Sequence, residues 1–243
     1  MKLLNGATLR TLQFGSIVLA TSALVACGGS GDSPGATVSG TAAVGAAMAN
    51  ASIVLTCKNG AGSATANANG AYSATFKFDG PCSITASSGA TALHSFAAGA
   101  GTYNVTPLTE LLLDYIAAQL GTTVSGLLAG ITSNVSYQNA LSNSTVIANA
   151  EAAVAALIKK TYGITLSSSS FLTVSFTPGQ PGADADLDTL LAAGAITSNG
   201  QPVASLTAAA TAAGAAAPIS TGGTGGGATG GTGGTGGTGT TTK

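Results

Sequence analysis

From residue 36 to 106 short strand-forming runs recur at regular spacing between turn formers, and at Thr106 the apolar period becomes helical. Period two is the signature of half-buried strands. The strands predicted are 36–42, 51–57, 63–68, 71–78, 82–87, 91–97 and 102–106. Turn formers separate them: Asn59-Gly60, Asn69-Gly70, Asp79-Gly80-Pro81 and Ser88-Gly89. Short strands at regular spacing predict an antiparallel β-sandwich. Ile53, Val54, Leu55, Tyr72, Phe76 and Phe78 are the bulky core candidates.

Beyond Thr106, Leu108, Leu111, Leu112, Tyr115, Ile116 and Leu120 fall on one face of a helix. Thr106 suits its cap, Pro107 its first position and Gly121 its end. A short helix is expected at 123–129. The longest runs over 145–162, with Ile147, Ala150, Val154, Leu157 and Ile158 inward. Lys159 and Lys160 complement its C-terminal dipole, and Gly163 ends it. Residues 164–182 predict a loop with one extended segment at 171–176. A last helix is expected at 184–193, with Leu187, Leu190 and Leu191 inward. The alanine-rich run 207–217 is a marginal helix, and from Gly222 the chain is almost pure Gly and Thr. Such a tail can bury nothing and is expected to be disordered.

The fold class expected is α+β: an N-terminal antiparallel β-sandwich, then a small helical domain, with disordered termini. The segments are 1–26 for targeting, 27–35 as a tether (Gly28 to Gly35 being Gly- and Ser-rich), 36–106 as sandwich, 107–205 as helices and 206–243 as tail.

The targeting expectation rests on Lys2 and Arg10 preceding an uncharged apolar run at 14–26. Thirteen residues are too few for a bilayer core, which takes about 20, but suit a signal peptide. The run ends in Leu24-Val25-Ala26-Cys27. These residues resemble the lipobox of bacterial lipoproteins. The resemblance implies a diacylglyceryl group on Cys27, cleavage by signal peptidase II between Ala26 and Cys27, and acylation of the new amine. Partners would then be a membrane, reached through lipid, and the lipoprotein processing and sorting machinery. Gly28 after the cysteine implies the outer membrane in a Gram-negative cell, whereas a Gram-positive source would imply the plasma membrane.

With Cys27 lipidated, Cys57 and Cys82 remain as an even pair. An exported compartment is oxidising, so a disulfide is expected. Metal binding is the rival, but two Cys and one distant His make a poor zinc set. No metal and no cofactor is expected.

Residues 36–106 also resemble the prealbumin-like, carboxypeptidase-regulatory-like sandwich. The matching positions are Val38-Ser39-Gly40, Ala51-Ser52-Ile53-Val54-Leu55, Asn69-Gly70-Ala71-Tyr72 and Gly80-Pro81-Cys82-Ser83-Ile84. That family's roles are structural or adhesive, so the resemblance implies no catalysis. The order Asn-Val-Thr-Pro-Leu-Thr-Glu, helices, a Phe-containing loop and Asp-x-Leu-Asp resembles uncharacterised exported lipoproteins.

Only 6% of residues are charged, and Lys159-Lys160 is the sole adjacent basic pair. Nucleic-acid binding needs clustered cations and is excluded. His94, the only histidine, has no visible partner on a strand shared with Ala92 and Phe96. Asp184, Asp186 and Asp188 read as a helix start rather than a Ca²⁺ loop, because no Gly or Glu stands where an EF-hand needs it. Glu110 and Asp114 share a helix face and read as solvated. Gly225-x-Gly227-x-x-Gly230 lacks the strand and helix that a dinucleotide site requires. Asn50, Asn104, Asn134 and Asn143 sit in Asn-x-Ser/Thr strings without consequence.

The expected role is therefore a membrane-anchored structural or interaction module, not an enzyme. The first alternative is a carbohydrate- or small-ligand-binding protein, with Tyr103, Tyr115 and Tyr137 as nearby aromatics. The second is a hydrolase, which a polar pocket joining His94 to a carboxylate would favour.

Overall fold

A computed structural model describes residues 35–219. The expectations for the targeting segment, Ala26, Cys27, the tether up to residue 34 and the Gly/Thr tail from residue 220 lie outside these residues. The described chain is α+β: seven strands in two sheets, and six helices.

Strands β1 (Ala36–Thr41), β4 (Ala71–Phe76) and β7 (Gly101–Thr102) form one sheet in the order β4-β1-β7. Strands β2 (Ser52–Cys57), β3 (Ala61–Thr65), β5 (Cys82–Ser88) and β6 (Thr91–Ala97) form the other, ordered β3-β2-β5-β6. Only the β1–β7 pairing is parallel. The period-two rule explains β2: Ile53, Leu55 and Cys57 are buried, so Val54 must face out, and it is 48% exposed. Val54 is thus not a core residue, although it stands in an unbroken apolar run. The register sets Ile53 opposite Ala86 and Leu55 opposite Ile84, which stacks buried side chains on one face. Phe76 and Phe78 are half-buried at the edge of the core.

Gly40 in β1 has a packing reason. A β-carbon there would overlap the Tyr103 carbonyl oxygen of the neighbouring segment. The Tyr72 hydroxyl donates to that same carbonyl at 2.6 Å. β7 is shorter than the strand expected at 102–106. Its extension still tracks β1, with Tyr103 N–H on the Ser39 carbonyl and Val105 N–H on the Thr41 carbonyl.

Helix α1 (Pro107–Gln119) starts at Thr106 with Pro107 in its first position. Thr109 Oγ1 accepts the Thr106 N–H at 3.0 Å, which satisfies an orphan donor. The Thr106 hydroxyl itself is buried without a partner. α1 is buried nearly all round, packed by β6, α2 (Val124–Gly130), α4 (Ser144–Tyr162) and α6 (Ala204–Ala215). A helix covered on every side is a core helix.

Four further features depart from the sequence reading. Helix α3 (Val135–Ser142) was not anticipated: it buries only Ala140 and Leu141, and Val135 is exposed, so its apolar stripe is too weak to read. Residues 171–173 form a turn and 174–176 have no regular structure, so no strand stands there. In α5 (Ala183–Ala192), Leu187 and Leu190 are buried but Leu191 is 40% exposed. The expected boundary at 205 falls inside α6, which buries Leu206, Ala210 and Gly214. One apolar core runs from Val38 in β1 to Ala210 in α6, across the expected sheet–helix boundary at 106.

Candidate functional site

The segment from Tyr103 to Glu110 joins the sheets to the helices, and its polar side chains do the joining. Asn104 is fully buried. Its Nδ2 donates to the Phe171 carbonyl at 3.1 Å and the Val174 carbonyl at 2.7 Å. Its Oδ1 accepts the Thr41 N–H at 3.2 Å, and its backbone N–H donates to the Leu172 carbonyl. One amide thus ties β1 to the turn at 171–174. Such a turn lacks ladder partners of its own and needs these bonds when buried.

Thr109 and Glu110 continue the joint toward β6. The Thr109 hydroxyl lies 2.8 Å from the carbonyls of both His94 and Thr106. Glu110 Oε1 accepts the His94 backbone N–H at 2.6 Å and lies 2.9 Å from the ring Nδ1. Glu110 is 8% exposed, so the expectation of a solvated carboxylate fails. The reason is tertiary: α1 lies in the core, so its polar flank is covered too. His94 has a partner that its own strand does not disclose. The hydrogen bond to Glu110 raises the imidazole above its ordinary range, opposed in part by burial. Asp114, one turn on, is pushed up to about 6, mainly by burial and further by the Glu110 charge.

A carboxylate on Nδ1 is the orienting half of a catalytic triad. The other half is a hydroxyl or thiol on the far ring nitrogen. Among the described residues, Glu110 is the only side chain hydrogen-bonded to that ring. The same Glu110 oxygen also holds the strand backbone, so its visible work is to fasten β6 to α1.

The cysteines expected to pair do so. Cys57 and Cys82 are directly opposite on β2 and β5, with Cα atoms 4.1 Å apart, and form a disulfide. Asp184 and Asp186 lie in the first turn of α5, as a helix start requires. Asp186 accepts from the Ser167 N–H and hydroxyl, and Asp184 from the Gly179 N–H. Burial raises Asp184 above the usual carboxylate range. Asp188 is exposed. Tyr103 and Tyr115 are buried and Tyr137 is half-buried, so these three form no exposed aromatic platform. Asn134 and Asn143 cap α3 and α4.

Glu151 belongs to no motif in the sequence. It stands in Ala-Glu-Ala-Ala and is 5% exposed. A signal was present: it lies four residues after Ile147 and three before Val154, on the apolar face of α4. Its Oε1 accepts the Leu172 N–H at 2.8 Å. Burial raises its pKa above the ordinary carboxylate value, opposed by that bond. Glu151 opens on a cavity of about 290 Å³, shared with Tyr103, Ile147 and Leu172.

Among the described residues no three His, Cys, Asp or Glu side chains gather as a metal site. No single helix among them is long and apolar enough to cross a membrane. The chain matches no family model, no curated protein and no solved structure.

Proposed function

We propose that this chain is an exported lipoprotein held on a membrane through a diacylglyceryl group on Cys27. Its module acts by structure or contact rather than by catalysis. The observation that carries the reading is the use of the three cysteines. Cys57 and Cys82 pair with each other, as oxidising compartments favour, and the remaining one ends the Leu24–Cys27 box. The two sheets are read as the halves of a prealbumin-like sandwich, with the helices covering one flank. Residues 28–35 would keep that module within about 30 Å of the lipid at full stretch. Acyl chains contribute about 0.8 kcal/mol per buried CH₂, so two or three of them give lasting attachment. In a Gram-negative cell, Gly28 after the cysteine would favour the outer membrane.

The non-catalytic half of the reading is supported by Glu110. Its oxygen is committed to the β6 backbone as well as to the His94 ring, which suits a fastener more than a proton relay.

The test is metabolic labelling with radioactive palmitate, alongside intact-mass measurement. The wild-type chain is expected to take up label and to begin at a modified Cys27. Cys27→Ala is expected to remain an unlabelled, uncleaved precursor. Label persisting in Cys27→Ala, or a bare thiol at position 27 in native material, would end the proposal.

A further inference from the structure

The cavity beside Glu151 has features that the joint and the anchor leave unused. It is a half-open pocket lined by α4, by Tyr103 at the start of the β7 extension, and by the turn around Leu172. Most of its wall is apolar, with Ile147 and Leu172 among the contributors, while Ser170 and Thr173 bring hydroxyls. Cavities of this kind, apolar with a few converging polar groups, are where small ligands bind.

Glu151 is the charged residue in that wall, and it is 5% exposed. Among the described residues it has no salt-bridge partner, the one ion pair being His94 with Glu110. Burial disfavours the ionised form of an unpaired carboxylate, and a positive charge beside it offsets that penalty. We infer that this cavity binds a small primary ammonium compound with an apolar body, its nitrogen on the Glu151 carboxylate and its carbon skeleton against Ile147, Leu172 and Tyr103.

The geometry selects among cations. Oε1 is already engaged by the Leu172 N–H, which leaves Oε2 for a ligand. A guanidinium seeks two carboxylate oxygens at once, whereas an ammonium is a point charge that needs one. Calcium or magnesium takes six or more oxygens and finds a single carboxylate here, and zinc finds no Cys or His in the lining. Tyr103 lines the same wall and adds aromatic surface for the apolar body. This inference is independent of whether Cys27 carries lipid.

The test uses the full chain and ligand-observed NMR titration. The probes are phenethylammonium, its neutral counterpart 2-phenylethanol, and methyl β-glucoside. Phenethylammonium is expected to bind with a Kd of about 1 mM, the range for so small a ligand. The alcohol is expected to bind at least about tenfold more weakly. Glu151→Gln keeps a carbonyl for the Leu172 N–H and is expected to reduce the ammonium to the alcohol's affinity. Ala148→Phe fills the cavity from an exposed helix position and is expected to abolish binding of both. Should Glu151→Gln fail to fold, Ala148→Phe and the ammonium–alcohol comparison decide the matter. Equal binding of alcohol and ammonium, binding that survives Ala148→Phe, preference for the glucoside, or no binding at all would overturn the inference.

Discussion

Gly214 of α6 lies directly against the Tyr115 carbonyl of α1: a β-carbon at Gly214 would overlap that oxygen, and would press on Ala118 as well. Helix α6 has no strong apolar stripe; it is built almost wholly of Ala, Thr and Gly. Small residues let its axis come close to α1, and the contact is extensive enough to cover one side of the central helix.

This contact sets the sign of a glycine substitution. In an exposed helix, Gly→Ala stabilises by about 1 kcal/mol. At Gly214 the steric conflict is expected to win, since overpacking costs about 1–3 kcal/mol. Gly214→Ala should therefore lower the melting temperature, and Gly214→Val should lower it further. A melting temperature raised by Gly214→Ala would mean that α6 does not dock as described.

The pH dependence follows from groups whose shifts agree in direction. Asp114, Glu151 and Asp184 are all raised, so the fold prefers their neutral forms. His94 is raised too, so the fold prefers its cation. For every one of them the folded state binds protons more tightly than the unfolded chain. The stability they contribute is present at low pH and fades as pH rises through the folded values. Asp114 loses its share between about pH 4 and about pH 6. His94 loses its share only above the ordinary imidazole range near 6.5. The domain is thus expected to melt higher at pH 5.5 than at pH 8. Glu110→Gln should remove the part carried by His94. Thermal denaturation across this range checks both statements; a melting temperature rising from pH 5.5 to pH 8 would contradict them.

Asn104 offers a test of the joint. Replacement by Leu keeps the volume but leaves the Phe171 and Val174 carbonyls and the Thr41 N–H without this partner. Each buried polar group stranded in this way costs about 1–3 kcal/mol. The variant is expected to lose at least about 3 kcal/mol and to become sensitive to limited proteolysis within 164–182. Denaturant melts and mass mapping of early fragments would show it. Unchanged stability with an intact 164–182 segment would rule out this role for Asn104.

The Cys57–Cys82 bridge closes a loop of modest length, with a sequence separation of 25. Its removal in a Cys57→Ala, Cys82→Ala double variant is expected to cost about 3 kcal/mol. The bridged strands also share a β-ladder, so the sheet should persist at low temperature. Equilibrium unfolding together with far-ultraviolet circular dichroism separates the two effects.

Local pattern carried most of the elements because it records which face of each one is buried. β6 was placed at both ends, and α1, α2, α4 and α5 to within a residue or two. It went wrong where burial is set by something distant. Val54 and Leu191 continue apolar runs but face water, since only one side of each element has a neighbour. Glu110 and Glu151 are polar by type yet buried, since other elements close over them.

The order of the strands and of every helix but α3, the pairing expected of Cys57 with Cys82 and the lipobox reading of Cys27 are legible in the chain alone, because each depends on neighbours in the chain or on residue type. The bond from Glu110 to His94, the hold of Asn104 on the 171–174 turn, the docking of α6 and the cavity at Glu151 belong to the tertiary structure. Each depends on segments far apart in the chain meeting in space, and a one-dimensional pattern does not record which polar groups will then share a site from which water is excluded.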